Sequence, residues 1–196
     1  MAIDLYLASA SPRRKELLES MGLRIECCPA NIEELRQAEE APIKYVERLA
    51  VEKANAAVTL QENQHTQIPF LGADTIVVCE GGVFEKPRDK FDAIDMWQAM
   101  SGGQHQVLTA IAILGVINGE LRKYTAISVS KVSLKVISRR EMDDYWQSGE
   151  PQDKAGAYGI QDWLGLIGIT QIKGSYTNVM GLPTHLVYKM LIAMVS

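Results

Sequence analysis

The sequence predicts an α/β domain around a mixed sheet. Two observations lead there. In the first half, apolar strand-like runs alternate with segments of helical period, the order that lays strands side by side in parallel. Further along, Gly81-Gly82 and Asn118-Gly119 mark tight hairpins, which pair strands antiparallel. With 196 residues, 47% of them apolar and 22% charged, and no repeat or low-complexity tract, the chain is expected to form a single domain over 1–196.

Each element has its own signal. Leu5-Tyr6-Leu7 reads as a short buried strand, followed by a small-residue turn and a helix in which Ser11 is the N-cap and Pro12 the first helical residue. Gly22 stops that helix, and Leu23 to Pro29 is read as a second strand. The acidic stretch from Asn31 to Glu40 is read as a solvated loop. Pro42 opens a long helix to about Leu60, whose apolar face runs through Tyr45, Val46, Leu49, Ala50, Ala54, Ala57 and Val58. Gln61 to Gln67 is a polar linker, and Phe70 to Glu80 a strand with Asp74 in its middle. After the Gly81-Gly82 turn, Asp89 caps a helix to Met100, stopped at Ser101-Gly102-Gly103.

Strands are expected at about Gln106–Val116 and Leu121–Val136, the second with a bulge near Ser130 or Lys131, where the apolar parity changes. Ser138-Arg139-Arg140-Glu141 is a capping box for a helix through Tyr145 and Trp146, ended by Gly149 and Pro151. The glycine-punctuated stretch Asp153 to Gln161 reads as a ligand-facing loop. A strand from Leu166 to Ile172, a turn at Lys173-Gly174, an extended Tyr176 to Val179 and a helix after Pro183 complete the prediction.

A net charge of -4 argues against nucleic acid as a partner, so any basic cluster must suit a small anion. No signal peptide and no apolar run of membrane-spanning length is present, which points to the cytoplasm rather than a membrane. Cys27, Cys28 and Cys79 are an odd set without metal-ligand spacing, read as reduced, packed thiols.

The first helix poses a conflict. The positive end of a helix dipole favours acidic residues, yet this helix opens with Arg13, Arg14 and Lys15. A bound phosphate resolves it, since backbone N–H groups and guanidinium forks both suit phosphate oxygens; a solvated basic turn is the alternative. His65, His105 and His185 lack zinc-ligand spacing, no Gly-x-Ser-x-Gly elbow exists, and Lys173-Gly174-Ser175 reverses the order a P-loop requires. What remains is a basic set, Arg13, Arg14, Lys53, Lys86 and Arg88, with carboxylates at Glu34 and Asp74. A triphosphate with a hard metal ion would use both kinds of group. Taken alone, Lys53 fits a snorkelling lysine as well as a cleft lysine, Lys86 and Ser9 fit turn residues, and Glu34 fits one more solvated acid.

Five motifs in order narrow these alternatives: Leu7-Ala8-Ser9-Ala10-Ser11-Pro12-Arg13-Arg14, Gly72-Ala73-Asp74-Thr75, Glu85-Lys86-Pro87-Arg88-Asp89, Asp153 to Gln161, and Gly174-Ser175-Tyr176 with Gly181-Leu182-Pro183. Together they resemble the Maf family of nucleoside triphosphate pyrophosphatases over nearly the whole chain. The resemblance implies an elongated α/β fold with a cleft between two lobes, similar to that of the inosine triphosphate pyrophosphatases. It implies hydrolysis of a nucleoside triphosphate to monophosphate and pyrophosphate with a divalent cation, Mg2+ or Mn2+. Ala73-Asp74-Thr75 and Gly159-Ile160-Gln161 are similar to the branch acting on dTTP and UTP.

Carried onto this sequence, the resemblance makes Asp74 the catalytic residue and, with Glu34, a metal ligand; Ser9, Arg13, Arg14, Lys53, Thr75, Lys86 and Gln161 bind substrate. Arg88 and Lys154 are left between substrate contact and structural ion pair. Asp162 departs from the pattern, which places glycine after Gln161. The resemblance also allows a homodimer, a house-cleaning activity on a modified pyrimidine nucleotide, and a nucleotide-binding role in regulating septum formation.

Overall fold

The computed structural model describes residues 4–29, 31–60, 68–117 and 119–195 of the chain. The expected Gln61–Gln67 linker and Asn118 of the second hairpin turn lie outside the described residues. In chain order, β1 (Leu5–Leu7), α1 (Pro12–Ser20), β2 (Ile25–Cys27), α2 (Pro42–Leu60), β3 (Phe70–Cys79) and β4 (Gly82–Phe84) are followed by α3 (Lys90–Met100), β5 (Gln104–Ile117) and β6 (Glu120–Leu134). The chain continues through α4 (Arg139–Gln147), two short 3-10 turns, α5 (Trp163–Gly168), β7 (Ile169–Lys173), α6 (Tyr176–Val179) and α7 (Thr184–Val195).

The sheet has seven strands in the order β2-β1-β3-β5-β6-β7, with β4 on β3. It is mixed, as the sequence predicts: β1 runs parallel to β2 and β3, while β3 with β4 and β6 with β7 are antiparallel. The register of β6 on β7 shifts between Ser133 and Leu134, past the position where the change of parity placed a bulge. No helix among the described residues is long and apolar enough to cross a membrane.

The chain forms two compact units. The first comprises Met1–Asp74, Thr109–Ser128 and Gly181–Ser196. Its core joins Leu5 and Leu7 of β1, Leu18 of α1, Leu71 and Ala73 of β3, Ile111 and Ile113 of β5, and Leu182, Val187 and Met190 near the C-terminus. Tyr6 and Phe70, paired in register, stack with ring centroids 4.8 Å apart. The caps are where the sequence places them: the Ser11 side chain accepts from Arg14 N, and Pro12 stands at the start of α1.

The second unit comprises Thr75–Leu108 and Val129–Met180. Trp97 of α3 lies at its centre, fully buried, donating its indole N–H to Ala157 O at 2.9 Å. Around it lie Val77, Ile94, Met100, Val107, Val132, Leu134, Met142, Tyr145 and Leu164. Asp89 caps α3 by accepting from Phe91 N and Asp92 N, and the Ser138–Glu141 capping box on α4 is complete.

Three expectations are corrected. Leu166 to Gly168 is helical, and the strand starts only at Ile169. The glycine-broken apolar run carries no clear alternation, and burial of Leu164, Gly165 and Gly168 at helical spacing decides the matter. Tyr176 to Val179 is a helical turn instead of an extended segment, because Ser175 caps it by accepting from Asn178 N at 3.2 Å. Cys27 is exposed instead of packed, Cys79 is buried, and all three thiols are free.

Candidate active site

The site grows from the first strand-to-helix turn. β1 ends where Ala8 N donates to Leu71 O at 2.9 Å, which fixes the start of the turn against β3. Ser9 then turns inward, its Oγ accepting from Ser11 N and from Arg14 Nη1, both at 3.2 Å. Arg14 also bonds to backbone: Nη1 donates to Ala73 O and Nε to Gly181 O, each at 2.9 Å. Three segments remote in sequence are thus tied to one guanidinium. Burial pushes this group below the ordinary arginine range, while Asp74 pulls it back and Arg13 adds a like charge.

Asp74 is the buried acid of β3, 5% exposed. Its environment is made by helix α2. Gly72, two residues earlier in β3, has no side chain to hold the helix off; a Cβ there would lie 2.1 Å from Ala50 O and 2.6 Å from Ala54 N. The helix backbone therefore rests on the strand, and Lys53, between those alanines, reaches Asp74. Its Nζ is 2.7 Å from Asp74 Oδ1 and 2.9 Å from Glu34 Oε2, so one ammonium joins both carboxylates. Lys53 is itself buried. Of the two readings the sequence leaves for it, the inward one holds.

Burial raises the Asp74 pKa above its ordinary value, with Lys53 and then Arg14 opposing and Glu34 adding to the rise. An acid so placed costs desolvation energy, which the Lys53 contact offsets in part.

The acidic stretch before α2 is exposed in large part, yet it is not the simple solvated loop expected. Tyr45 of α2 donates to Glu34 O at 3.0 Å, and Arg48 donates to Leu35 O and to both carboxylate oxygens of Glu40. These bonds push the Glu40 carboxyl down to about 2. Lys53 adds the last stitch through the Glu34 side chain. A single helix therefore places Glu34, Lys53 and, through Gly72, Asp74.

The structure accordingly brings Ser9, Arg14, Glu34, Lys53 and Asp74 together, with Arg13 next to Arg14 at the start of α1. The remaining candidates belong to the second unit. Thr75 is half-buried on β3, Lys86 is exposed after β4, and Gln161 is exposed in the turn before α5. Within that unit, Gly156 N donates to Glu85 O at 2.9 Å, joining the Lys86 segment to the segment leading to Gln161. Arg88 takes its structural reading, holding Asp92 at 2.9 Å, and Lys154 is drawn to Asp153 and Asp162. Sequence reasoning missed Tyr45 and the carbonyls of Ala73 and Gly181; the Gly181-Leu182-Pro183 motif is the one signal that could have flagged the last.

Among the described residues no three His, Cys, Asp or Glu side chains are grouped to hold a metal. Two carboxylates already sharing one cationic group nevertheless suit a hard cation whose remaining ligands are phosphate oxygens and water. A buried acid held by lysine, beside an arginine-bearing strand-to-helix turn, is an arrangement that suits a small, multiply charged anion.

Residues 4–194 match the Maf-like protein family, and the chain belongs to that family. It is similar to the dTTP/UTP pyrophosphatase of Saccharophagus degradans, 48% identical over 92% of this chain and 83% of that protein. It is similar also to the dTTP/UTP pyrophosphatases of Aliivibrio fischeri, 46% identical over 93% of this chain and 94% of that one, and Salmonella typhimurium, 46% identical over 95% and 91%.

Proposed function

We propose that this chain is a nucleoside triphosphate pyrophosphatase that hydrolyses dTTP and UTP to the monophosphate and pyrophosphate. The names of its relatives support the substrate, and their similarity runs through nearly the whole chain. The observation that carries the chemistry is Asp74, buried and held at 2.7 Å by Lys53, which also holds Glu34.

Water adds to the α-phosphorus, the bond from that phosphorus to the α–β bridging oxygen breaks, and pyrophosphate leaves with the bridging oxygen. Asp74 orients the attacking water and takes its proton, a role for which a carboxyl of raised pKa is suited. Arg13, Lys53 and Lys86 offset the charge of the phosphate chain, with Ser9 hydrogen-bonding to it, and positioning with charge stabilisation suffices for such a transfer without a covalent nucleophile. Arg14 adds charge while holding the Ala73 carbonyl beside the acid. A divalent cation, Mg2+ or Mn2+, would be held by Glu34 and Asp74, where it would neutralise developing charge on the phosphates. Thr75 and Gln161 read the base, the amide of Gln161 offering both a donor and an acceptor to the imide edge of thymine or uracil. Free nucleoside triphosphates make the cytoplasm its place of work.

The test is pyrophosphate release from a panel of canonical and modified nucleoside triphosphates, with Mg2+, with Mn2+ and with chelator. Metal-dependent release from dTTP and UTP, well above that from purine nucleotides, is expected. Absence of turnover on every triphosphate, with nucleotide still bound, would overturn the enzyme reading.

A further inference from the structure

Gln161 sits in a four-residue turn, Gly159 to Asp162, closed by Asp162 N donating to Gly159 O at 3.2 Å. Both ends of this turn converge on one hydroxyl. Gly159 N donates to the Tyr145 OH at 3.3 Å, and that OH donates to Asp162 Oδ2 at 2.7 Å. The same carboxylate oxygen lies 3.1 Å from Lys154 Nζ. Lys154 is in turn held by Asp153 Oδ1 at 2.9 Å and by the Glu150 carbonyl. Tyr145 and Lys154 are buried, and the Asp162 carboxylate is 13% exposed. Its contact with the turn is close enough to exclude a side chain: a Cβ on Gly159 would stand 2.7 Å from the Asp162 carboxylate carbon.

The turn is thereby fixed at its first and last residues, while Gln161 between them is exposed. Asp162 does this without capping α5, since its side chain makes no cap hydrogen bond there. Its carboxylate is committed to Tyr145 and Lys154. A carboxylate is also the group the arrangement needs, because it accepts from a hydroxyl while pairing with an ammonium, and such a charge-assisted bond is stronger than a neutral one.

We propose that Asp162 is a specificity-determining positioning residue: by accepting from Tyr145 and pairing with Lys154 it fixes the turn that presents Gln161, and so sets how sharply the protein distinguishes one base from another. This rests on the reading of Gln161 as the base-reading residue of a nucleoside triphosphate pyrophosphatase. Discrimination between bases depends on a polar group held where only the right partner satisfies it, so loosening the turn costs selectivity more than chemistry.

The experiment compares wild type, Asp162→Asn and Tyr145→Phe in two readouts: kcat and KM for dTTP and dCTP, and calorimetric binding of dTMP and dCMP. In both variants the dTTP preference in kcat/KM is expected to fall about tenfold, through a raised KM for dTTP with kcat within about threefold of wild type. The dTMP over dCMP binding preference should fall in parallel. The double variant should lose no more than the greater single loss, as residues in one network do. A role in stability alone would lower the melting temperature and leave both preference ratios at the wild-type value, which overturns the proposal. Wild type that binds dTMP selectively but turns over no triphosphate would sink the pyrophosphatase reading while the binding ratios still decide this one; wild type with no base preference overturns it. Should Asp162→Asn fail to fold, Tyr145→Phe decides alone.

Discussion

Lys53 Nζ lies 2.7 Å from Asp74 Oδ1, and the pair is buried on both sides. Removing one partner leaves the other uncompensated. Lys53→Met is therefore expected to destabilise the protein by about 3–5 kcal/mol, less whatever Asp74 recovers by taking up a proton. Urea unfolding at neutral pH measures it, and a loss under about 1 kcal/mol would mean that the pair is not buried as described.

Asp74→Asn should abolish pyrophosphate release while the circular dichroism spectrum and unfolding cooperativity stay native. The amide keeps the volume and a carbonyl acceptor for Lys53, but it can neither take a proton nor carry charge. A variant turning over at near wild-type rate removes Asp74 from the mechanism.

Gly72→Ala pushes α2 away from β3. The added methyl would meet the Ala50 carbonyl at 2.1 Å, a backbone atom unable to rotate aside. A stability loss of about 3 kcal/mol or more is expected, together with loss of turnover as Lys53 is displaced. Native activity in this variant would contradict the close approach.

Arg14→Lys keeps the charge but loses the fork. A single ammonium cannot reach the Ala73 and Gly181 carbonyls and Ser9 Oγ in the directions a guanidinium does. Stability is expected to fall by about 1.5–3 kcal/mol, with kcat falling as Asp74 loses its fixed neighbour. Unchanged melting temperature and kcat would show that charge alone matters at this position.

His105 predicts an acid-sensitive fold. It is 1% exposed, its Nε2 lies 2.6 Å from Tyr158 OH, and its Nδ1 has no partner among the described residues. Burial pushes its pKa from 6.5 down to about 4. The unfolded chain thus binds a proton below pH 6.5 that the folded chain refuses, so stability is full above 6.5 and falls as pH drops toward 4. The loss amounts to about 3 kcal/mol over that window. Urea titrations at several pH values should show this slope in wild type and not in a folded His105→Gln variant.

Much of the frame was legible because its signals are local. Ser11-Pro12, Asp89 and Ser138 through Glu141 announce helix starts through chemistry contained within four residues, and all three start there. Leu166 to Gly168 is helical where the sequence predicts strand, because glycines at 165 and 168 blur the period, and the burial that settles it comes from elsewhere in the chain. The candidate site shows the same division. Asp74 stands out as an acid in an apolar strand, whereas Glu34 looks no different from Glu33 until Tyr45 and Lys53, both on α2, select it. Nor does sequence reveal that Arg14 is spent largely on backbone carbonyls: an arginine that binds phosphate and one that braces a turn have the same letter.

That brace carries a consequence for how the molecule is made. Arg14 and Gly181 are 167 positions apart, and the Gly181 carbonyl is among the fork's acceptors. As the chain leaves the ribosome, Ser9, Ala73 and Lys53 can find their places early, but the guanidinium must wait for Gly181 before its bonds are complete. A nascent chain therefore carries an unfinished site until 167 residues beyond Arg14 have been added, and the finished one is acquired only when Gly181 arrives.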